Sequence, residues 1–187
     1  MTNKLEALSP AQHAALNFTS KVDFTFAQTL VAAPLGAEEL GEASKHFPLV
    51  FTAEDSPVPY ALFGLKGKNA FVNKSGQWRS RSYVPAYLRA YPFVAATTDQ
   101  PDSFAILIDR AAPQFAGNEG EPLFDNAGQP GPALARARDF LIHLQASLKA
   151  AKVISAPLAD AGILVPVVLT ERNGKAAGLP SVRIVDS

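Results

Sequence analysis

A long amphipathic segment constrains the fold of this chain more than any other feature of the sequence. Gly131 and Pro132 open the segment, and proline is favoured at the first position of a helix. Apolar residues then recur at intervals of three and four over about five turns: Leu134, Ala137, Leu141, Leu144, Leu148 and Ala151. This spacing predicts a helix over about residues 132–152 with one apolar face. Because about two and a half heptads are too few for a coiled-coil seam, we expect that face to pack on a sheet.

Segments rich in β-branched and aromatic residues supply that sheet. The predicted strands are residues 22–30, 47–52, 58–65, 69–73, 77–83, 92–98, 103–109, 163–171 and 181–186. Gly76 and the pair Asn173–Gly174 mark turns that join neighbouring strands into hairpins. Pro57 and Pro59 place the strand 58–65 at a sheet edge, whereas residues 103–109 are apolar enough for a central strand. The sequence thus predicts an α+β fold, with a mainly antiparallel sheet and one long amphipathic helix packed on it.

The composition excludes several classes of protein. At 187 residues, with 48% apolar and 18% charged side chains, the chain has the composition of one globular domain. The absence of cysteine excludes disulfides, thiolate nucleophiles and cysteine-ligated metals. No apolar run reaches the roughly eighteen residues that a transmembrane helix needs. The N-terminus lacks the apolar core and cleavage site of a signal peptide, so we expect the cytoplasm, or the cell surface by a route other than Sec.

Charge is distributed unevenly along the chain. Residues 56–98 contain six basic side chains and no acid, whereas the rest of the chain has eleven basic and seventeen acidic side chains. Within the basic segment, residues 73–93 hold the only tryptophan and three of the four tyrosines. Arginine supplies a fixed fork of donors, and aromatic faces stack on sugars or bases. This combination is typical of a binding surface for an anionic ligand.

The predicted ligand-binding residues all lie in this stretch. They are Trp78, Arg79, Arg81, Tyr83, Tyr87 and Arg89. On an extended strand, Arg79, Arg81 and Tyr83 would share one face, and Pro85 then opens a short helix. The alternative interpretation is that the aromatic residues fill the core and that the arginines pair with the surplus acids.

A second set of polar residues follows the strand 103–109. It consists of Asp109, Glu119, Glu121 and Asp125. The end of a strand and the loop beyond it are positions where catalytic groups often occur. An alternative function is therefore a small-molecule-binding protein or a carboxylate-dependent enzyme with its site at the 109–125 loop.

Metal ligation has little support in the sequence. The residues from Asp125 to Gly128 lack the alternating ligands and the closing glutamate of a calcium loop. The histidines have no metal-binding spacing and are interpreted as helix-surface or helix-end residues: His13, His46 and His143. We therefore predict no metal and no cofactor, and no catalytic residue can be named.

Several stretches together resemble the bacterial SapC family, which is named for a component of a paracrystalline surface layer (S-layer). The stretches are SPAQHAAL (9–16), the helix with Glu38 leading to HFPLVFT (46–52), PYALFGLKGKNAFVNKSGQW (59–78), YVPAYLRAYPF (83–93), the strand ending at Asp109, and LFDNAGQ (123–129). The similarity covers essentially the whole chain, so it implies one SapC-like domain over residues 1–187. Family members continue past VRIVD into a further helical segment, so the resemblance also implies a family domain longer than this sequence. It implies association with a surface layer, but it brings no set of catalytic residues.

These observations predict a non-catalytic, surface-layer-associated or accessory binding protein. Its expected partner is an anionic polysaccharide, contacted by the basic and aromatic hairpin, or other surface-layer proteins. We do not expect nucleic acid as the ligand, because the domain as a whole is not basic. Self-association is a further alternative, since an edge strand at residues 57–65 could pair with a second copy.

Overall fold

A computed structural model of the chain describes residues 5–98, 103–168 and 182–186. The fold is α+β, with antiparallel sheets and one long helix, as predicted. The chain divides into two compact units. The first unit comprises Met1–Val22 with Ala90–Gln145, and the second comprises Asp23–Arg89 with Ala146–Ser187. The single SapC-like domain over residues 1–187 stays a prediction.

The elements are numbered here in chain order. The strands are β1 (Leu5–Ala7), β2 (Asn17–Phe18), β3 (Ala32–Pro34), β4 (Leu49–Thr52), β5 (Pro59–Leu62), β6 (Gly64–Leu65), β7 (Lys68–Asn69), β8 (Phe93–Thr97), β9 (Phe104–Asp109), β10 (Glu121–Pro122), β11 (Leu164–Val167) and β12 (Val182–Val185). The α-helices are α1 (Pro10–His13), α2 (Leu40–Ala43), α3 (Ala86–Arg89) and α4 (Pro132–Asp160). Single-turn 3-10 helices lie at Thr25–Ala27, Ala37–Glu39 and Pro113–Phe115.

In the first unit, β9 is the central strand of a three-stranded antiparallel sheet, with β1 on one side and β8 on the other. The apolar sequence FAILID suits this position, and its Ile108 is fully buried. Phe18, Phe93 and Phe115 pack against one another, with ring centroids 5.3 to 6.0 Å apart. The predicted central strand is confirmed.

In the second unit, five antiparallel strands are ordered β11-β12-β4-β5-β3. One face of this sheet carries Ala33 and Ala61, both fully buried, into a core cluster with Phe47 and Phe63. The two phenylalanine rings meet edge to face at 5.3 Å. Small residues on the strands leave room for large rings in the neighbouring layer, which is how an interior reaches close packing. The core of this unit is therefore largely aromatic.

The position of β5 differs from the prediction. β5 pairs with β4 on one side and with β3 on the other, so it is an interior strand and not an edge. Pro59 is tolerated at its first position because the Pro59 carbonyl still accepts a hydrogen bond from the Leu35 N–H at 2.9 Å. The edge placement is therefore wrong for Pro59–Leu62, and β5 is not open to pairing with a second copy. Gly64–Leu65 form β6, which pairs with β7 in a separate two-stranded sheet.

The strand predicted at residues 22–30 is also wrong. The segment forms a 3-10 turn, in which the Ala27 N–H donates to the Phe24 carbonyl at 2.9 Å. Phe24 and Ala27, three positions apart, are the buried residues of the segment. The alternating pattern of larger residues suggested a period of two, whereas burial follows a period of three.

Helix α4 confirms the predicted helix and extends it by two turns. Most of the predicted apolar stripe is buried, including Leu134, Leu141, Leu144 and Ala151. Ser155 takes the next position of the stripe, and its hydroxyl donates to the Ala151 carbonyl at 2.8 Å. The helix ends before Gly162, whose φ of 69° is the left-handed conformation common after a helix.

In the second unit, α4 packs closely against Gly36, the residue that precedes the 3-10 turn at residues 37–39. A side chain at Gly36 would overlap the Ser147 side chain of α4, so only glycine fits at this approach. The helix with Glu38 that the sequence predicts ahead of residues 46–52 is confirmed as this 3-10 turn followed by α2. Strands β11 and β12 pair as predicted. The turn predicted at Asn173–Gly174, which would join them, lies outside the described residues.

Candidate ligand-binding cleft

The hairpin at residues 72–78 is organised by Asn73. Its side-chain oxygen accepts from the backbone N–H groups of Ser75 at 2.9 Å and Gln77 at 3.0 Å. Its amide nitrogen donates to the Gln77 side-chain oxygen at 2.9 Å. Gly76 has a φ of 73°, which confirms the predicted left-handed turn residue. A turn with this many internal bonds holds the flanking residues in a fixed position.

Trp78 belongs to the aromatic core of the second unit. Its ring stacks on Phe71 at 5.7 Å and meets Phe63 edge to face at 5.5 Å. The indole N–H donates to the Tyr83 carbonyl at 2.9 Å. Trp78 pairs across the hairpin with Val72 through a single β-bridge. The ring is only partly buried, so it fills the core and also presents a surface.

Arg79 lies over the edge of this aromatic layer. Its guanidinium carbon is 4.9 Å from the centroid of the Phe71 ring, which is a cation–π arrangement. A terminal nitrogen also donates to the Ala70 carbonyl at 3.4 Å. The side chain is exposed. Among the residues that the structure describes, Arg79 and Arg81 have no carboxylate within salt-bridge distance.

These residues surround a cleft of about 550 Å³, which we call the hairpin cleft. Its lining residues come from both arms of the hairpin: Ala70, Phe71, Val72, Asn73, Gln77, Trp78, Arg79 and Ser80. The lining that the structure describes includes a cation and two aromatic rings but no acid. The volume lies within the roughly 300–1,000 Å³ that small-molecule sites occupy.

The predicted shared face of Arg79, Arg81 and Tyr83 is wrong. The chain turns at these residues, because the Ser82 N–H donates to the Arg79 carbonyl at 3.2 Å. Arg81 has a φ of 61°, a left-handed conformation that ends any extended strand. The alternation of strand side chains therefore stops after Trp78, and Arg81 is exposed in the turn.

Tyr83 points to a buried carboxylate. Its hydroxyl donates to Glu39 Oε1 at 2.8 Å, and the same oxygen accepts from the Ala86 N–H at 2.6 Å. Glu39 Oε2 accepts from the Gly36 N–H at 2.9 Å. Partial burial raises the pKa of Tyr83, and the hydrogen bond to Glu39 and the charge of Glu39 raise it further. Tyr83 thus fixes the chain ahead of α3, which matches in part the alternative interpretation of the aromatic residues.

The last two predicted residues lie on α3, which Pro85 opens as predicted. The Arg89 guanidinium donates to the Val84 carbonyl at 3.1 Å and to the Tyr83 hydroxyl at 3.5 Å. Tyr87 is 43% exposed. Of the six predicted residues, the structure brings Trp78 and Arg79 together at the cleft and Tyr83 and Arg89 together near Glu39.

Sequence reasoning missed Phe71, Asn73, Gln77 and Ser80 as lining residues of the cleft. Phe71 lies on the first arm of the predicted hairpin, so the pairing of the arms was the signal that could have found it. Asn73 and Gln77 are drawn to the cleft by the turn, and Ser80 by the bend that follows Trp78.

Three of the four carboxylates of the 109–125 loop have partners of their own. Buried Asp109 accepts from the Tyr91 hydroxyl at 2.9 Å and from the Ala111 N–H at 3.1 Å. Glu121 pairs with Arg136 at 2.7 Å. Asp125 accepts from the N–H groups of Ala127 and Gln129, as expected of a residue that closes a turn. These contacts explain Asp109, Glu121 and Asp125 as structural groups, whereas Glu119 is exposed.

The structure describes all three histidines, and it allows a search for metal-binding groups among the described residues. His13 ends α1 as predicted, but it is buried, with Nδ1 accepting from the Ser9 N–H at 3.1 Å and Nε2 3.3 Å from Glu6. The described residues contain no group of three or more His, Asp or Glu side chains that could hold a metal ion. No helix within the described ranges has the length and apolar character needed to cross a membrane.

Comparison with known proteins identifies a family, but it finds no individual protein that matches the chain. No curated protein and no solved structure matches the chain. The family model SapC matches residues 8–187. The stretches that resemble this family, including both arms of the hairpin, lie within that match. Because the match covers nearly every residue, the chain belongs to the SapC family.

Proposed function

We propose that this protein is a non-catalytic, surface-layer-associated accessory protein that binds an anionic polysaccharide in the hairpin cleft. The observation that carries the proposal is the composition of the cleft, where Arg79, Phe71 and Trp78 lie together and the described lining holds no acid. A sugar ring offers an apolar face and a hydroxylated rim, and an acidic sugar adds a negative charge. The lining has a counterpart for each of these features.

Each lining residue has a specific role in the proposal. The Arg79 guanidinium forms a bidentate pair with a carboxylate or sulfate, and its position over Phe71 holds it in place before the ligand arrives. The exposed parts of the Phe71 and Trp78 rings stack on the apolar face of the sugar. Ser80 and the side-chain amides of Asn73 and Gln77 provide hydrogen bonds to hydroxyl groups.

The charge around the cleft favours an anionic ligand. Lys74 lies in the turn between the two runs of lining residues, and Arg81 directly follows the second run; both side chains are exposed. The whole segment 56–98 contains no acid. Asp23 lies beside the turn at Gly76 but does not line the cleft. A polysaccharide fits this short basic patch better than a nucleic acid, whose affinity grows with the number of phosphates contacted. The family resemblance, which implies surface-layer association, gives such a ligand a natural location.

Binding to a matched pair of polysaccharides tests the proposal. Polygalacturonate carries one carboxylate per sugar, and its methyl ester has the same backbone without the charge. Calorimetric titration at low salt should detect binding of the anionic form only, and added salt should weaken it. Arg79→Ala should weaken binding about tenfold, the equivalent of about 1.4 kcal/mol, and Arg81→Ala should have a smaller effect.

Arg138→Ala is the matched control, because it removes one exposed arginine from the first unit. This variant should bind like the unaltered protein. Equal binding of both polysaccharides, or an equal loss in the Arg79 and Arg138 variants, would show that the hairpin cleft is not the site.

A further inference from the structure

The five-stranded sheet of the second unit has apolar side chains on both faces. Cross-strand pairs place Val50 opposite Tyr60, Ala32 opposite Leu62 and Val182 opposite Thr52. Because side chains alternate along a strand, these residues lie on the face opposite Ala33 and Ala61, which enter the core. An antiparallel sheet with one solvated face normally carries polar residues there. This second face is instead mostly Val, Leu, Ala and Tyr.

That face forms a groove of about 670 Å³, which we call the sheet groove. It is lined by Leu30, Val31, Ala32, Val50, Phe51, Thr52, Ala53, Glu54, Tyr60, Leu62 and Val182. Among the described residues, none lines both this groove and the hairpin cleft. Its volume is again within the roughly 300–1,000 Å³ of small-molecule sites. An elongated apolar molecule is the occupant that such a lining favours, because the hydrophobic effect scales with the apolar area removed from water.

The polar groups of the groove occur on two neighbouring strands and just after one of them. Thr52 Oγ accepts from the Val58 N–H at 3.0 Å, and its second lone pair remains to accept from a ligand. Tyr60 is half-buried. Burial raises the pKa of Tyr60, and the nearby charges of Tyr87 and Glu54 raise it further, so its hydroxyl keeps its proton at neutral pH. Glu54 is exposed, and it is the charged residue in the described lining.

We propose that the sheet groove binds a single-chain amphiphile with a protonated amine head. The alkyl chain lies along the half-buried Leu30, Ala32 and Leu62, whose exposed parts it removes from water, beside the buried Val50 and Val182. The ammonium group pairs with the Glu54 carboxylate and donates to the hydroxyl oxygens of Tyr60 and Thr52. A carboxylate or phosphate head is disfavoured, because it would lie beside Glu54. The described lining holds no cation, and the nearby Arg183 guanidinium already donates to the Ala53 carbonyl at 2.9 Å.

A peptide strand is a poorer occupant of the same surface. Strands recognise other strands through free backbone groups at a sheet edge. The backbone groups of β4, β5 and β12 are already paired within the sheet, since these strands are interior, and of the strand residues in the lining only Ala32 belongs to the end strand β3. The groove therefore offers mainly side chains, which suits an alkyl chain.

Titration with three amphiphiles of equal chain length tests the proposal. Dodecylamine, dodecanoate and dodecyl maltoside differ only in the head, and each is used below the concentration at which it forms micelles. Isothermal calorimetry at neutral pH should show one dodecylamine bound per chain, about tenfold more tightly than dodecanoate. Attraction of dodecylamine to the exposed Glu54 carboxylate should raise its affinity about threefold, and repulsion should lower the affinity for dodecanoate about threefold.

Two substitutions locate the site. Glu54→Gln should bring the affinities for dodecylamine and dodecanoate to within about twofold of each other, whereas Glu119→Gln, in an exposed loop of the first unit, should leave the tenfold ratio intact. Ala32→Phe fills the groove and should abolish binding of all three amphiphiles, with thermal unfolding used to confirm that the variant is folded. Arg79→Ala should not change dodecylamine binding, so this proposal is tested separately from that of the hairpin cleft.

Several results would overturn the proposal. They are equal affinities for the three amphiphiles, binding that survives Ala32→Phe in a folded variant, and an unchanged ratio in Glu54→Gln. Sedimentation that shows a dimer dissociating when Ala32 is replaced would also overturn it, because a second copy would then cover the groove.

Discussion

Replacing Tyr83 with phenylalanine removes one hydroxyl that donates to a buried carboxylate. The Tyr83–Glu39 hydrogen bond is 2.8 Å long, and Glu39 is only 7% exposed. A hydrogen bond to a charged group contributes about 1.5–3 kcal/mol. Because Tyr83 is partly exposed and Glu39 keeps its two backbone donors, we expect a loss of about 1.5–2 kcal/mol in the free energy of unfolding. For a chain of this size that loss corresponds to a fall of about 3–8 °C in Tm.

Urea unfolding followed by tryptophan fluorescence measures this loss. Trp78 is the only tryptophan and packs on the same core cluster as Tyr83, so its emission reports on the second unit. The midpoint should fall while the slope stays constant, which is the sign of lost stability without a change in compactness. Tyr87→Phe is the matched control, because Tyr87 is 43% exposed and should change stability by no more than about 0.5 kcal/mol.

Glu39→Gln extends the same test. The amide nitrogen of glutamine would face either the Gly36 N–H or the pair formed by Tyr83 and Ala86, so at least one buried donor loses its acceptor. The cost should therefore exceed that of Tyr83→Phe by about 1–3 kcal/mol. The double variant should be less destabilised than the sum of the single variants, because Glu39→Gln removes or weakens the same bond that Tyr83→Phe removes. Equal midpoints for the Tyr83 and Tyr87 variants, or additive losses, would refute the role assigned to this bond.

Three further predictions concern the turn, the tyrosines and the long helix. Gly76→Ala should cost about 1–3 kcal/mol more than Gly67→Ala. Both glycines have positive φ, but only a Cβ at Gly76 would overlap Thr25 and Asp23, so equal urea midpoints would contradict the close approach. Tyr60 and Tyr83 have raised pKa values, so the stability that they contribute is fully present below about pH 10 and is lost as the pH rises through the folded-state pKa. In an alkaline titration followed by tyrosinate absorbance, Tyr60→Phe and Tyr83→Phe should each remove signal above the ordinary tyrosine pKa, and removal at the ordinary pKa would contradict this. Leu141→Ala should cost about 2–5 kcal/mol and Ile142→Ala no more than about 1 kcal/mol, because Leu141 is 1% exposed and Ile142 is 47% exposed. Calorimetry can compare the two, and similar losses would contradict the orientation of α4.

The fold could be predicted where local pattern and burial agree. The stripe from Leu134 to Ala151 predicted α4 because most of the residues that repeat at helical spacing are buried. The predicted end of the helix was too early, since Ser155 is polar and its bond to a carbonyl one turn earlier is not visible in a pattern of apolar residues. FAILID predicted a central strand because five of its six residues, Phe104 to Ile108, are apolar.

The errors come from contacts between distant parts of the chain. The edge placement of β5 failed because its partner β3 has the sequence AAP, which carries no strand signal of its own. The strand at residues 22–30 failed because the Phe24 N–H is bound by the Gly76 carbonyl, far along the chain. Such pairings are decided by tertiary structure and not by local preference.

In the candidate site, too, the features set by local sequence could be predicted and those set by distant contacts could not. The Lys74–Gly76 turn predicted a hairpin, and the hairpin brings Phe71 beside Trp78. The bend after Trp78 could not be predicted, because Arg81 adopts a left-handed conformation that its side chain does not favour. The contact of Tyr83 with Glu39 joins residues 44 positions apart, so no local pattern contains it.

Mapping the polysaccharide on the protein tests the central claim most directly. Two-dimensional NMR of the ¹⁵N-labelled protein would follow backbone amides and the Trp78 indole N–H, whose bond to the Tyr83 carbonyl holds it in one environment. During titration with polygalacturonate, the account predicts that the shifted signals cluster at residues 70–80 and include the indole, with no such shifts when the methyl ester is added. Shifts that cluster elsewhere while residues 70–80 stay unchanged would contradict it.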